Sequence, residues 1–406
     1  MGRPVPASPA TSAYVHVPFC VVKCGYCDFN SFTASSEDAL DRFLDGLHVE
    51  LKLVPLPETP VSVFFGGGTP TYLDDERLKR LFAITGRRLN LRGCSEVTME
   101  ANPESVTLEK ARISLEAGVD RVSIGAQSFH PEHLTFLDRA HSAEQTVRAF
   151  ETFREAGFSN ISLDMIFSVP GQTLAQWEED LRAAVALQPD HLSCYNLTYE
   201  PGTRLTRDME RGTVQPNPDS TDREMFVRTR EILVEHGFTA YETSNFAGRG
   251  GPCRHNDHYW LQGDYVGVGP GASDHREGVR STNLKPLGAW AEALDRGTRP
   301  TASAETLTPV ERGAEALWLG LRRASGLNLE TLSTRLGFDL RRSFAAPIER
   351  LVGQGLVEEI GTDLRLTAEG QLFGNSVGEE FLQGTGRVSP GPPGRPQGSA
   401  APPVAR

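Results

Sequence analysis

The chain has 406 residues, 38% hydrophobic and 23% charged, an ordinary balance for a globular protein with room for two or three domains. Its formal net charge of −12 argues against non-specific binding to nucleic acid or to an anionic membrane surface. No apolar run approaches the roughly eighteen residues that span a bilayer, and the segment Met1-Gly-Arg-Pro-Val-Pro-Ala-Ser8 lacks the apolar core of a secretion signal. A cytoplasmic location is expected.

Residues 1–12 are rich in Pro, Ala and Ser and read as a flexible leader. A strand follows from Ala13 to Phe19. Glu37 to Val54 carries Leu40, Phe43, Leu44, Leu47 and Leu51 at helical spacing. Val61 to Phe65 reads as a strand and Asp74 to Arg87 as a helix. Glu96–Glu100, Arg121–Gly125, Asn160–Phe167 and His191–Leu197 complete six strands. The helices between them are Leu108–Ala117, Ala143–Ala156 and Leu174–Leu187, the first two ended by Gly118 and Gly157. Six βα steps with short connections imply parallel strands and right-handed crossovers. Six units do not close an eight-fold barrel. A partial, open (β/α)6 TIM-like barrel over residues 13–245 is therefore expected, with its chemistry at the C-terminal strand ends.

Residues 246–300 read as a connecting segment. From 301 to 382 the pattern changes to helices at Pro309–Arg323, Leu329–Leu336, Leu340–Gly353 and Ala368–Phe381, with a hairpin from Leu356–Ile360 and Asp363–Leu366. That composition suits a C-terminal α+β winged-helix-like domain. Arg341, Arg342 and Arg350 stand among acidic neighbours, which favours a packing or lid role over DNA binding. Residues 383–406, rich in proline, are expected to be disordered.

The six cysteines are unevenly spread. Cys20, Cys24 and Cys27 fall within eight residues, in Cys20-Val-Val-Lys-Cys24-Gly-Tyr-Cys27-Asp-Phe29. Cys94, Cys194 and Cys253 are scattered and read as buried structural thiols. In a reducing compartment a cysteine cluster reads as a metal site. Zinc would want a fourth ligand nearby. Three thiolates can instead hold three irons of a [4Fe–4S] cubane. The fourth iron is then open to the amino and carboxylate groups of S-adenosylmethionine, whose reductive C–S cleavage yields a 5′-deoxyadenosyl radical. Other distinctive residues also follow strands: Gly66-Gly67-Gly68 after the second, Glu100 at the third, Gln127 after the fourth.

On these residues the sequence resembles the radical S-adenosylmethionine superfamily, over roughly residues 13–245. Phe65-Gly-Gly-Gly-Thr-Pro70 resembles its glycine-rich strand end. Tyr14-Val-His-Val-Pro-Phe-Cys20, Met99-Glu-Ala-Asn-Pro103, Gly125-Ala-Gln-Ser-Phe129, Asp138-Arg139 and Leu163-Asp-Met-Ile166 resemble the branch of oxygen-independent coproporphyrinogen III oxidase and the HemW-type haem chaperones. The resemblance implies that Tyr14, Phe29, Gly67, Gly68, Thr69, Glu100, Gln127, Arg139 and Asp164 surround S-adenosylmethionine. Glu100 and Asp164 would accept hydrogen bonds from ribose or amino groups, and Arg139 would pair with the carboxylate.

Three features separate the two groups. The oxidase typically has a fourth cysteine where Phe29 stands, and a long extension before its first strand. Arg254-His255-Asn256-Asp257-His258-Tyr259-Trp260 matches the HNxxYW motif of the chaperones. Histidine is a natural axial haem ligand and aromatic rings stack on porphyrin, so His255, Tyr259 and Trp260 are candidate haem residues, with Cys253 and His258 as secondary ligands. A buried polar loop is the competing reading. The resemblance implies a protein that binds haem as cargo and transfers it to haem-accepting proteins, such as membrane respiratory enzymes or ferritins. It further implies an unidentified electron donor and a homodimer; no nucleic-acid partner is expected. A coproporphyrinogen III dehydrogenase of porphyrin biosynthesis and a radical methyltransferase are the alternatives. The core is competent for S-adenosylmethionine cleavage, and no residue is assigned a catalytic role.

Overall fold

The computed structural model describes residues 11–33 and 35–383. The expected leader lies outside the described residues apart from Thr11 and Ser12, which open the first strand. The expected tail lies outside them apart from Gln383, which closes the last helix.

The chain alternates β1 (Thr11–Val17), α1 (Glu37–Leu53), β2 (Ser62–Gly67), α2 (Asp75–Gly86), β3 (Glu96–Ala101), α3 (Leu108–Ala117) and β4 (Arg121–Gln127). Then come α4 (Pro131–Phe136), α5 (Ala143–Ala156), β5 (Ile161–Phe167), α6 (Leu174–Ala186) and β6 (His191–Asn196). Ser36, Asp74, Thr107, Ser142 and Thr173 each accept a backbone N–H of the helix they precede. Such caps satisfy donors that the helix itself leaves unpaired. β1 to β6 pair in parallel, in sequence order, with the helices covering the sheet. The expected partial (β/α)6 barrel is present. Its core joins Leu40, Phe43, Leu44 and Leu47 of α1 to Val15, Val63 and Phe65 of the strands, all buried. Each such side chain contributes roughly 1.5–3 kcal/mol of transfer free energy.

Beyond β6 come α7 (Arg204–Glu210), α8 (Asp219–Glu235), β7 (Thr239–Ala240), β8 (Asn245–Ala247) and α9 (Arg254–Trp260). The sequence reading left 246–300 as a connector. The structure instead forms β9 (Asp264–Val268), β10 (Ser273–Arg276), β11 (Val279–Asn283), α10 (Leu287–Asp295) and β12 (Thr301–Thr306). These strands extend the sheet beside β1, in the order β12-β11-β10-β9-β1, and β9 runs parallel to β1. β10 to β12 are short and polar, and β12 is exposed along its whole length, so no apolar alternation announced them; β9 offered only Val266 and Val268. Buried Glu50 of α1 ties this extension down. It accepts hydrogen bonds from Gly269 N (2.8 Å), Asn283 Nδ2 (2.6 Å) and Trp290 Nε1 (3.1 Å).

The C-terminal part has its own core, centred on Leu317, Leu321, Ile348, Leu351, Leu364 and Phe381. It comprises α11 (Pro309–Leu321), β13 (Leu327–Asn328), α12 (Leu329–Leu336), α13 (Leu340–Ser343), α14 (Ala345–Gly353), β14 (Val357–Ile360), β15 (Asp363–Leu366), α15 (Ala368–Leu372) and α16 (Gly374–Gln383). The strands form a small antiparallel sheet, β13-β15-β14. Two helices expected to be continuous break at Phe344 and Phe373, whose backbones leave the helical region. Arg341 pairs with Glu359, and Arg350 with Glu380. Among the described residues no helix is long and apolar enough to cross a membrane.

Candidate functional site

The three clustered cysteines lie in the loop after β1, each partly exposed. Two polar side chains reach their sulfurs. Thr69 Oγ1 donates to Cys20 Sγ at 3.6 Å, and Arg139 Nη1 to Cys24 Sγ at 3.5 Å. Asn102 joins the two donors. Its Nδ2 donates to Thr69 Oγ1 and its Oδ1 accepts from Arg139 Nη2, both at 2.7 Å. Arg139 Nη2 also donates to the carbonyl of Gly125 (2.9 Å). The N–H of Gly25 donates to Asp138 Oδ2 (3.0 Å), which fixes the middle of the loop. Burial raises the pKa of the Cys20 thiol and the Thr69 hydroxyl opposes that rise; outer donors of this kind orient and tune sulfur ligands to a metal. Among the described residues no three His, Cys, Asp or Glu side chains converge closely enough to hold a single metal ion.

The glycine run shapes the floor. Gly67 has φ +104°, and a Cβ there would sit 2.2 Å from the His16 ring. A Cβ on Gly68 would lie 2.7 Å from backbone atoms of Phe19 and Val17, which have no room to yield. These residues therefore present bare backbone beside the cysteine loop. Glu100 Oε2 accepts the N–H of Gly67 (3.0 Å). Asp164 accepts Ser123 Oγ on both carboxylate oxygens (2.9 Å each). Burial first, and then the negative charge of Asp164, push the Glu100 carboxyl up to about 8. Burial raises that of Asp164 as well. Gln127 closes β4 with φ +65°, a conformation sparsely used by side-chain-bearing residues.

Tyr14, Gly67, Gly68, Thr69, Glu100, Gln127, Arg139 and Asp164 thus gather around the C-terminal half of β1–β5, next to Cys20, Cys24 and Cys27. Phe29 lies on the same loop with its side chain 40% exposed. Arg139 Nε is buried without a hydrogen-bond partner, a donor free for an acid group. The donor set, the bare backbone and this orphaned N–H fit a thiolate-bound cluster beside an amino-acid carboxylate.

Sequence reasoning missed four contributors. Asn102 stood inside the quoted Met99–Pro103 motif without an assigned role. His16 links Tyr14 OH (3.1 Å) to the carbonyl of Asn30 (2.7 Å), and burial depresses its pKa to about 4. Asn30 Nδ2 in turn bonds the carbonyls of Pro270 and Lys285, so the loop leans on the β9–β12 extension. Ser123 orients Asp164. For His16 and Ser123 the available signal is a polar residue on a parallel strand, since such strands otherwise run apolar.

The candidate haem residues lie elsewhere. α9 covers the N-terminal ends of the strands, away from the cysteines. His255 is 1% exposed. Its Nδ1 bonds Ser62 Oγ and its Nε2 bonds Tyr259 OH, both at 2.8 Å. Burial drives its pKa down to about 3. Glu96, the first residue of β3, accepts the N–H groups of Arg254 (2.9 Å) and His255 (3.1 Å) and the Cys253 thiol (3.3 Å). Trp260 is buried with Arg322 stacked 4.8 Å over its ring. His258 Nε2 bonds the carbonyl of Asp264 (2.8 Å). Both ring nitrogens of His255 are thus bonded within the protein, and an axial-ligand role would require one of those bonds to open. Cys194 and Cys253 are buried as expected; Cys94 is only partly so.

Comparison with known proteins agrees with this geometry. The model of the radical SAM superfamily matches residues 14–184, and that of the HemN C-terminal domain matches residues 307–373. The chain is 35% identical over 375 residues to the heme chaperone HemW of Bacillus subtilis, covering 91% of this chain and 99% of that protein. It is 33% identical over 383 residues to the HemW of Escherichia coli, covering 92% and 98%. Its fold is similar to that of the coproporphyrinogen III oxidase HemN from Escherichia coli, with a TM-score of 0.79 at 22% identity over 92% and 90% of the two chains.

Proposed function

Because the chain belongs to the radical SAM superfamily, in the HemN-like branch close to HemW, we propose that it is a haem chaperone that binds haem and passes it to acceptor proteins. The observation that carries this reading is the end-to-end similarity to proteins named heme chaperone, spanning 99% of one of them. Phe29, where a further cysteine marks the oxidase, supports the same reading.

In this proposal Cys20, Cys24 and Cys27 hold a [4Fe–4S] cluster. Tyr14, Phe29, Gly67, Gly68, Thr69, Glu100, Gln127, Arg139 and Asp164 hold S-adenosylmethionine. When bound, the pair supplies one-electron cleavage of a C–S bond. The protein's own part is positional. Thr69 and Arg139 donate to the cysteine sulfurs, and Asn102 sets the spacing of those two donors. Arg139 Nε is aimed at an acid group, while Glu100 and Asp164 present acceptors inside the barrel. The Gly66–Gly68 backbone permits close approach without a side chain in the way.

The test is anaerobic cluster reconstitution, followed by haem titration and by incubation with an apo-haemoprotein. Stoichiometric haem binding and spectroscopic transfer to the acceptor are expected. Turnover of coproporphyrinogen III at enzymatic rates, or failure to bind haem, would overturn the proposal.

A further inference from the structure

Two adjoining clefts border the cysteine loop. One, of about 280 Å³, is lined by the partly exposed Cys24 and Cys27 and by Lys23, Arg204 and Arg207. The other, of about 230 Å³, is lined by Tyr26, Phe136, Leu137, Leu205 and Val214. They share Gly25 and Arg204 as lining. The apolar lining belongs to a small hydrophobic cluster separate from the main core. Each alone is a little smaller than the roughly 300–1,000 Å³ of small-molecule sites, and they meet at Gly25 and Arg204.

The charges are arranged against the trend of the molecule. In a chain of net charge −12, three cations meet one carboxylate, Asp28, in the first cleft. Lys23 Nζ bonds only a backbone carbonyl, that of Phe29 (2.7 Å). Arg207 Nη1 bonds the carbonyl of Gly202 (2.8 Å). Arg204 pairs with Asp138 at the seam, its side chain 54% exposed. Asp138 and Asp208 also line the second cleft, Asp138 paired with Arg204 and Asp208 3.9 Å from Arg211. A ligand suited to this trough is flat and apolar along its body and carries two acid groups at one edge.

We propose that the trough is the haem seat, with the propionates on Lys23, Arg204 and Arg207 and the ring over Phe136, Leu137 and Val214. This rests on the haem-chaperone reading and gives that reading a location. Carboxylates bound by Lys and Arg make charge-assisted bonds, and the apolar floor supplies ring burial. The seat lies against Cys24 and Cys27, so cargo and cluster loop share a wall. It lies away from α9.

The experiment uses the full chain, reconstituted anaerobically, with ferric haem titrated by its Soret band. Lys23→Glu with Arg207→Glu is expected to weaken haem binding about 100-fold, at roughly tenfold per lost charged contact. Haem dimethyl ester, which lacks the charged propionates, is expected to bind both proteins alike. Metal-free protoporphyrin IX, followed by fluorescence, is expected to show the same charge dependence as haem. Arg341→Glu, a remote surface change, serves as control. Iron and sulfide assays verify the cluster in each sample. Arg207→Glu alone, on α7 and off the cysteine loop, keeps the test open if Lys23→Glu disturbs that loop. Unchanged haem affinity in both variants would overturn the seat and leave the chaperone reading standing. Absence of haem binding by the wild type would overturn the chaperone reading itself.

Discussion

Replacing Glu100 by Gln isolates one carboxyl at the heart of the proposed S-adenosylmethionine site. In the fold its pKa rises from 4.5 to about 8, through burial and the neighbouring Asp164, against the Gly67 N–H and the Arg121 charge. Tyr14, also facing it, is held neutral by burial and by Glu100 itself. A cationic ligand binds the ionised carboxylate, so binding expels the proton. At pH 6 only about 1% of the carboxyls are ionised and at pH 8 about half, so Kd should fall about fiftyfold between them and flatten above. The ligand's own α-amino group titrates near pH 8 as well, but identically in both proteins. The difference between wild type and Glu100→Gln therefore reports this residue. Anaerobic calorimetry in two buffers of different ionisation enthalpy counts the protons released. Wild type should release close to one more than the variant near pH 7. The sign for stability follows the same shift. Without ligand, the folded state keeps a proton that the unfolded chain loses above pH 4.5, so stability falls as pH rises from about 4.5 to about 8. Parallel affinity profiles for the two proteins would refute the placement of Glu100 against the ligand.

Asn102→Ala removes the bridge between Thr69 and Arg139. Bonds to a charged group are worth about 1.5–3 kcal/mol, so S-adenosylmethionine affinity should drop at least tenfold, with a shifted electron paramagnetic resonance spectrum of the reduced cluster. Unchanged affinity and spectrum would remove Asn102 from the site. His255→Ala should cost about 2–4 kcal/mol of stability, since it opens a cavity and strands the Tyr259 hydroxyl, while Ser62 keeps its bond to Ser12. Haem affinity, measured at a temperature where the variant is folded, should stay within about twofold of wild type. Lost haem binding with unaltered stability would restore the ligand role and refute the plug.

The legibility of this molecule tracks periodicity. Strands buried on both faces, such as Val61–Phe65, and helices with sharp ends, such as the one stopped at Gly118, were readable because burial and capping leave compositional marks. β10 to β12 left none, and β9 only the pair Val266 and Val268. Their pairing partners are β1 and one another, and Ser273–Arg276 or Thr301–Thr306 become strands through tertiary contacts that no local window contains. The cysteines were legible because their chemistry demands a fixed spacing. Asn102, His16 and Asn30 were not, because a residue that orients another is defined by a neighbour distant in sequence. Arg139 lies 115 positions from Cys24.

The two readings of His255 stayed open for the same reason. Its motif is rich in groups that ligate metals, and a sequence cannot tell a ligand from a hydrogen-bonding plug. The structure separates them by which end of the sheet they occupy. Ser62, Glu96 and His191 are each the first residue of their strand, and they meet α9 and Tyr241 at that end. His255, Ser62, Glu96 and His191 all have partners inside the protein there, while Trp260 Nε1 and Arg121 Nε are buried without one. At the opposite end stand the partly exposed thiols, the unpartnered Arg139 Nε and the cationic trough. What separates the two ends is access: the clustered thiols and the cations beside them are partly exposed, whereas His255 and Trp260 are buried. On that difference we place ligand chemistry at the cysteine end, with α9 covering the other.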